Sequence, residues 1–442
     1  MAHPLAKEKR KLQISYLDSV AYLAYKYAED ENVANKKVES LARVILRHDE
    51  YKAKTGREPE GLSAAVLKTR LGLFQFFSYR YLFLFDSLFL LAADDSEKAE
   101  RIKEECNTWI GKRFHKETDR LIRLMYRQEA LPARDTLITD EMQKAWTDMR
   151  DYLSSDDVKI FFTATMSAGK STLINAIIGQ EISETKKAAC TSNVLRFHSL
   201  PLKGERYVLC DGEVTVEGIS REIRETMKKR KQDCAVYGYF HSALSARRIT
   251  LIDTPGINSA RNPEHKRITR DALRECDGDL LVYVIPVENY VGEDDCDHLV
   301  YVKRHVKYRK IIFLVNMIDN CDFEDDSLDD ILREVREHLG SIGYEEPEVY
   351  PISAKAGLAI KKRLDQVDLS DNEKSRADTF IKMFVQEEYS HSRFYGKEIS
   401  GGGLLDDTEK AYENTGLPSL ERLLFQNLIS LKSGVCADTE EG

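Results

Sequence analysis

The chain has no Cys-x-x-Cys pair, no histidines at metal-ligand spacing and no surplus of positive charge. Its eight cysteines, Cys106, Cys190, Cys210, Cys234, Cys276, Cys296, Cys321 and Cys436, are scattered, so neither a zinc ribbon nor a dithiol redox motif is expected. None of the ten histidines falls in an H-E-x-x-H pattern, which argues against a dedicated transition-metal site. The start of the sequence carries no signal-peptide pattern, and reduced thiols in a cytosol are the expectation. A net charge of −9 lacks the basic stripe of a general nucleic-acid binder, although a local basic patch stays open. The one segment of membrane-spanning length is not free of polar interruptions either. The most apolar segment, residues 71–93, is broken by Gln75, Arg80 and Asp86, and one charge near a bilayer centre costs at least about 2.5–3.5 kcal/mol. A buried bundle helix is the leading reading of that segment, ahead of a membrane- or partner-facing hairpin and a true span.

What is present centres on residues 159–179, K-I-F-F-T-A-T-M-S-A-G-K-S-T-L-I-N-A-I-I-G. An apolar, β-favouring run leads into a Gly-Lys-Ser turn, and Leu173, Ile174, Ile177 and Ile178 then recur at helical spacing. This is a phosphate-binding loop: Gly169 lets backbone N–H groups close on phosphate oxygens, Lys170 supplies a cation, and the Ser171 hydroxyl can ligate Mg²⁺ at a helix N-terminus. Ala164 stands where the usual pattern begins with glycine.

The 442 residues suffice for about two or three domains. Amphipathic helices are expected over residues 9–52, over one long stretch from 98 to 127, and after a Thr139-Asp140 cap. Strands are expected at residues 194–197, 249–252, 280–285, 311–315 and 349–352, with a hairpin over 207–216 about Asp211-Gly212. A helix at 220–231 ends in Lys228-Lys229-Arg230-Lys231, more often a solvated face than a binding site. Strand–helix alternation of this kind implies an α/β fold with a mostly parallel sheet covered on both faces.

Further chemistry falls at the ends of these strands. Asp253 can hold Mg²⁺ through water, and the Gly256 N–H can meet a γ-phosphate. In Asn316-Met317-Ile318-Asp319 the Asp319 carboxylate can accept both hydrogens from the N1 and N2 edge of guanine. Ser353-Ala354-Lys355 can offer a backbone donor to the base carbonyl and a lysine stem to its ring. Thr191 is placed to ligate Mg²⁺ when a γ-phosphate is present.

These residues in this order resemble the translation-factor-like GTPases, and residues 167–176, S-A-G-K-S-T-L-I-N-A, resemble the bacterial branch of the dynamin family. The resemblance covers residues 157–355, and Thr415 to Leu420 is similar to that family's end of the GTPase domain. It implies a P-loop GTPase domain at 157–370, a helical neck- or bundle-like region at 1–150, and a C-terminal helical segment at 371–442 that closes both. It also implies GTP as substrate with Mg²⁺. Thr165, Ser167, Ala168, Gly169, Lys170, Ser171, Thr172 and Gly256 would hold the phosphates, and Asn316, Asp319, Ser353, Ala354 and Lys355 the base. Ser171, Thr191 and Asp253 would hold the metal; Ser167, Lys170 and Thr191 would serve catalysis. Self-association through GTPase domains is implied, with a membrane surface or a second, stalk-bearing polypeptide as further partner. The protein would be cytoplasmic, peripheral at a membrane, with no nucleic acid bound.

The departures from the pattern are specific. Met317 replaces the usual lysine of the guanine motif. Met166 and Ile257 occupy positions where relatives carry a water-orienting glutamine, so hydrolysis is expected to be slow in the monomer. Fewer than about a hundred residues follow Lys355, too few for a stalk. A nucleotide-gated module that docks a partner through the aromatic segment is the second reading, and a ribosome-assembly GTPase, disfavoured by the acidic balance, the third.

Overall fold

The computed structural model describes residues 4–27, 31–47, 51, 83–84, 86–92, 95–109, 112, 115–126, 140–183, 193–212, 214–230, 232–257, 263–289, 292–321, 327–365, 369–396 and 405–430. The chain divides into two compact units. One comprises Met1–Asp156 with Leu200–Gly204 and Ser245–Arg248; the other comprises Asp157–Ser199, Glu205–Leu244 and Ile249–Gly442.

The first unit is helical: α1 (Arg10–Tyr27), α2 (Glu31–Leu46), α3 (Ser96–Trp109), α4 (His115–Tyr126) and α5 (Asp140–Ser154). Leu17, Val20 and Leu23 of α1 and Val38, Leu41 and Ile45 of α2 recur at three- and four-residue steps, and all are buried in one core. Of the aromatic segment, residues 71–82, 85 and 93 lie outside the described residues. Phe83, Leu84, Leu88 and Phe89 join that core. The Tyr16 ring meets Phe83 edge-on at 5.6 Å, and its hydroxyl donates to Asp86 at 2.6 Å. Asp86, one of the three residues that interrupt the apolar run, is therefore buried and hydrogen-bonded. Among the described residues no helix is long and apolar enough to cross a membrane. Phe83→Ala should destabilise this unit by roughly 3–5 kcal/mol, read as a lower denaturation midpoint; an unmoved midpoint would contradict the burial.

The single helix expected over residues 98–127 is two. Lys103 Nζ lies 2.8 Å from Asp119 and Thr118 Oγ1 donates to Asn107 at 3.0 Å, so α3 and α4 pack side by side.

The second unit is built on a nine-stranded sheet in the order β4-β3-β5-β2-β6-β1-β7-β8-β9. The strands are β1 (Val158–Ala164), β2 (Leu195–Ser199), β3 (Arg206–Cys210), β4 (Thr215–Ile219), β5 (Cys234–Gly238), β6 (Ile249–Asp253), β7 (Asp277–Pro286), β8 (Lys307–Asn316) and β9 (Val349–Ile352). β1 runs parallel to both β6 and β7, and β7, β8 and β9 continue in parallel. β1 is buried on both faces because its alternate side chains feed different cores. Ile160, Phe162 and Ala164 join one, and Phe161 joins the other with Ile252, Tyr283 and Phe313.

The other half of the sheet departs from the simple parallel pattern. β2 is antiparallel to β6, and β3 and β4 form the expected hairpin. β5 went unrecognised in the sequence because Cys-Ala-Val-Tyr-Gly is short and ends on glycine. Gly238 is needed there: a Cβ on it would lie 2.0 Å from the Tyr207 ring.

The sheet-bearing unit also contains α6 (Lys170–Ile178), α7 (Ser220–Met227), α8 (Pro263–Arg274), α9 (Glu293–His305), α10 (Leu328–Ile342), α11 (Ala354–Leu364), α12 (Asp371–Phe384), α13 (Asp407–Asn414) and α14 (Leu417–Ser430). The terminal helix α14 buries Leu417, Leu420 and Leu424 in the same core as Ile174 and Ile177 of α6.

Two histidines in this unit are buried and held neutral. Burial, reinforced by Arg270 and Lys266, lowers His298 from its ordinary 6.5 to about 3. Burial, reinforced by Arg393, does the same to His391, also to about 3. The unfolded chain therefore binds more protons between those values, so their contribution is complete above about pH 6.5 and is lost as pH falls toward about 3. Each should add a slope of up to about 1.4 kcal/mol per pH unit in that window. Denaturation midpoints that stay flat from pH 6.5 to 4 would contradict it.

Candidate functional site

The carboxyl ends of β1, β6, β8 and β9 lie along one edge of the sheet, where an open α/β fold places its ligands. Phe162 pairs with Asp253, and Asn316 with Ile352. Gly169 precedes α6 with φ of 83°, a left-handed conformation that favours glycine. A Cβ there would sit 2.3 Å from Asn316 Nδ2, so the turn needs glycine for space as well as for backbone angle. Ser167, exposed at the same turn, also has positive φ, at 68°. For serine that costs of order 1 kcal/mol or more, a strain typical of ligand-clamping loops.

Lys170 and Asp253 are both buried and form an ion pair. The Asp253 carboxylate also accepts from Ser171 Oγ at 3.2 Å and from Ser183 Oγ at 2.9 Å. One carboxylate thus gathers the loop cation, the loop hydroxyl and the segment leading to residues 184–192. Thr191 lies outside the described residues. Gly256 packs against Met166, whose Cγ would be 3.3 Å from an added Cβ.

On the other side of the loop, Asn316 acts as a clasp. Its Nδ2 donates to the Ala168 carbonyl at 3.0 Å, and its Oδ1 accepts from the Ala354 N–H at 3.1 Å, tying the phosphate loop to the turn after β9. Asp319 accepts from Ser353 Oγ at 2.6 Å, and Lys355 Nζ lies 3.6 Å from its other oxygen. Ser353 also caps α11 by accepting from the Ala356 N–H. Gly169, Thr172, Asn316, Met317, Asp319 and Lys355 line one cleft of about 370 Å³, a size that suits a small ligand. Thr165 faces elsewhere: its hydroxyl donates to buried Asp295 at 3.2 Å, as does the Tyr283 hydroxyl at 3.1 Å.

Several supporting residues escaped the sequence analysis. Asn175 accepts from the Ile182 and Ser183 N–H groups at 3.0 and 2.8 Å and donates to the Ser183 carbonyl at 2.8 Å, stapling the chain after α6. An asparagine among isoleucines on a buried helix face was the available signal. Ser353 N–H donates to the Thr415 carbonyl at 3.0 Å, so a turn some sixty positions later supports the base loop. The cleft continues past Lys362, Glu373 and Arg376. Hydrogen bonds from Lys362 and then Ser370 pull the Glu373 carboxyl down to about 2.

Asn316→Ala should leave the Ala168 carbonyl and the Ala354 N–H unpaired in a buried setting, at about 1–3 kcal/mol each. A lower melting temperature is expected together with a rise of roughly tenfold or more in nucleotide Kd; unchanged values of both would remove the clasp.

A donor set of lysine, serine hydroxyl and open helix N-terminus beside a glycine that admits no Cβ fits a phosphate group, and Ser171 with Asp253 offers the hard oxygen ligands that Mg²⁺ takes. The comparisons with known proteins point the same way. Residues 160–338 match the model of the dynamin family. Dynamin-like protein A of Bacillus subtilis (strain 168) is 27% identical over 206 residues, covering 45% of this chain and 16% of that protein. GTPase Era of Glaesserella parasuis serovar 5 is 26% identical over 196 residues, 44% of this chain and 48% of Era. The chain therefore spans about a sixth and about half of the lengths of these two relatives. A solved structure of an oligomerised bacterial dynamin pair aligns over 96% of this chain and 73% of its own, at 13% identity and a TM-score of 0.37. The family match covers residues 160–338, so this part of the chain is similar to the dynamin family, and the Bacillus relative is a dynamin-like protein of low identity to it.

Proposed function

We propose that the protein binds GTP with Mg²⁺ in the cleft between the phosphate loop and the Asp319 and Ser353 turns, and hydrolyses it slowly unless two copies associate. The observation that supports this reading is the Asn316 clasp, which ties the phosphate loop, whose Lys170 pairs with buried Asp253, to the turn after β9, beside the cleft that Gly169, Thr172 and Asp319 line. When nucleotide enters, Lys170 exchanges the carboxylate for β- and γ-phosphate oxygens. Asp253 and Ser171 are then free to hold Mg²⁺, with Thr191 as a third candidate. The metal's part is to neutralise charge on the phosphates; the chain's part is to orient them and exclude water. Asp319, fixed by Ser353, accepts from the guanine edge.

Attack by water is the step with least provision. Ile257 is 2% exposed and apolar, and Met166 offers its backbone N–H to the Ile257 carbonyl at 3.0 Å, so neither side chain can orient water. Exposed Ser167 remains at the rim, where a second copy can complete the site. Self-association through GTPase domains would then move the flanking helices, in a cytoplasmic protein peripheral at a membrane or bound to a second, stalk-bearing polypeptide. Single-turnover GTP hydrolysis should accelerate with protein concentration. A rate constant that is independent of concentration and negligible throughout would favour instead a nucleotide-gated binding module. The burial of Phe83, Leu84, Leu88 and Phe89 leaves that alternative without these side chains as a docking face.

A further inference from the structure

The surface shared by α8 and α9 carries a second cleft, of about 540 Å³, lined by Arg270, Arg274, Asp297, Tyr301, Arg304 and His305. Arg270 and Arg274 lie one turn apart on α8, and Tyr301 and Arg304 three residues apart on α9, so each helix turns one face to the cleft. Among the residues that line the cleft, the three arginines meet one carboxylate, Asp297, in a chain whose net charge is −9. Ion pairing accounts for only part of the group: Arg267 and Arg274 share Asp271, at 3.4 and 2.9 Å. Among the described residues no carboxylate pairs with Arg270 or Arg304. Arg270 instead lies on the Tyr301 ring, its guanidinium carbon 4.1 Å from the centroid, which fixes the guanidinium before any ligand arrives. Its Nε and the Tyr301 hydroxyl are buried without hydrogen-bond partners, a cost that a structure rarely carries without a use. The field is positive beyond the cleft as well, since after burial itself Arg270 and Lys266 are what lower the buried His298.

We infer that this cleft binds a compound bearing two or more phosphate groups, at a site separate from the GTP cleft. Guanidinium forks match phosphate oxygens in pairs, and an arginine already held over an aromatic ring loses little freedom on binding. A single small anion would engage one fork and leave the others idle in a cleft of this size. A polyphosphate in solution and a phospholipid headgroup share this chemistry.

The test uses full-length Lys170→Ala/Asp253→Asn protein, in which the phosphate loop has lost its cation without stranding a carboxylate. Inorganic tripolyphosphate titrated into it by calorimetry should still bind, and adding Arg270→Gln and Arg304→Gln should weaken that binding at least about tenfold. Arg270→Gln/Arg304→Gln in the otherwise unaltered chain should leave GTP affinity unchanged, which keeps this site's failure distinct from failure of the GTP reading. Co-sedimentation with phosphatidylcholine vesicles containing cardiolipin, lost in the arginine variant, assigns the phosphates to a lipid headgroup. Tripolyphosphate binding without sedimentation assigns them to a soluble compound. No tripolyphosphate binding to the Lys170→Ala/Asp253→Asn protein, or binding indifferent to both arginines, overturns the inference.

Discussion

Lys170→Ala is expected to raise the Kd for GTP by about a hundredfold or more, because a charge-assisted contact to phosphate is worth up to about 3 kcal/mol and the loop has no second cation among the described residues. The same change strands a buried carboxylate. Among the described residues Asp253 would keep Ser171 and Ser183 as side-chain donors, and truncating one partner of a buried ion pair typically costs about 3–5 kcal/mol of stability. Lost binding in the single variant could then reflect lost folding. The double variant Lys170→Ala/Asp253→Asn separates the two effects: it should recover most of the melting temperature and none of the GTP affinity. Calorimetry and thermal melts on the two proteins check both halves, and GTP affinity close to that of the unaltered chain in either would defeat the phosphate-loop assignment.

The second large effect concerns base choice. Asp319→Asn should weaken GTP roughly ten- to hundredfold, the span of one good bidentate contact to a base edge, about 1–3 kcal/mol. Xanthosine triphosphate should gain by a comparable factor, because the amide can donate to the xanthine carbonyl where the carboxylate could only repel it. Met317 sharpens the expectation. It sits in the left-handed region at φ 69°, and its Cε approaches to 3.1 Å of a Cβ placed on Gly169, so it packs over the phosphate-loop turn. Competition binding with the two nucleotides measures the exchange. Retention of the GTP preference by Asp319→Asn would mean that another group reads the base.

The strands that carry the site were legible because burial on both faces leaves an unbroken apolar run, as in Ile-Phe-Phe before the phosphate loop and Ile-Ile-Phe-Leu-Val before Asn316. The residues at their ends were legible because phosphate and guanine chemistry demands particular side chains at fixed offsets. Elements set by distant contacts were not. β5 is defined by its neighbours β2 and β3, and nothing in Cys-Ala-Val-Tyr-Gly says that Tyr207 will fill the space over Gly238. The antiparallel pairing of β2 with β6 is a matter of topology that alternation cannot reveal. The end of one helix at Trp109 and the start of the next at His115 were missed because the apolar spacing continues across the interval, and the one glycine there in the sequence is a residue that helical patterns tolerate. Within the site, Asn175, Ser183 and Asp295 act on other residues rather than on a ligand, so no motif announces them. Thr165 shows the reverse: its place in the loop suggested a phosphate contact, and the structure turns its hydroxyl to Asp295.

Calorimetric titration of the unaltered full chain with GTP and with ATP, each with Mg²⁺ and with the metal chelated, tests the central claim most directly. The account predicts saturable GTP binding that weakens on chelation and exceeds ATP binding by at least about tenfold, the discrimination expected from one base-reading carboxylate. Equal affinity for the two nucleotides would contradict the role given to Asp319, and no binding of either would contradict the nucleotide site itself.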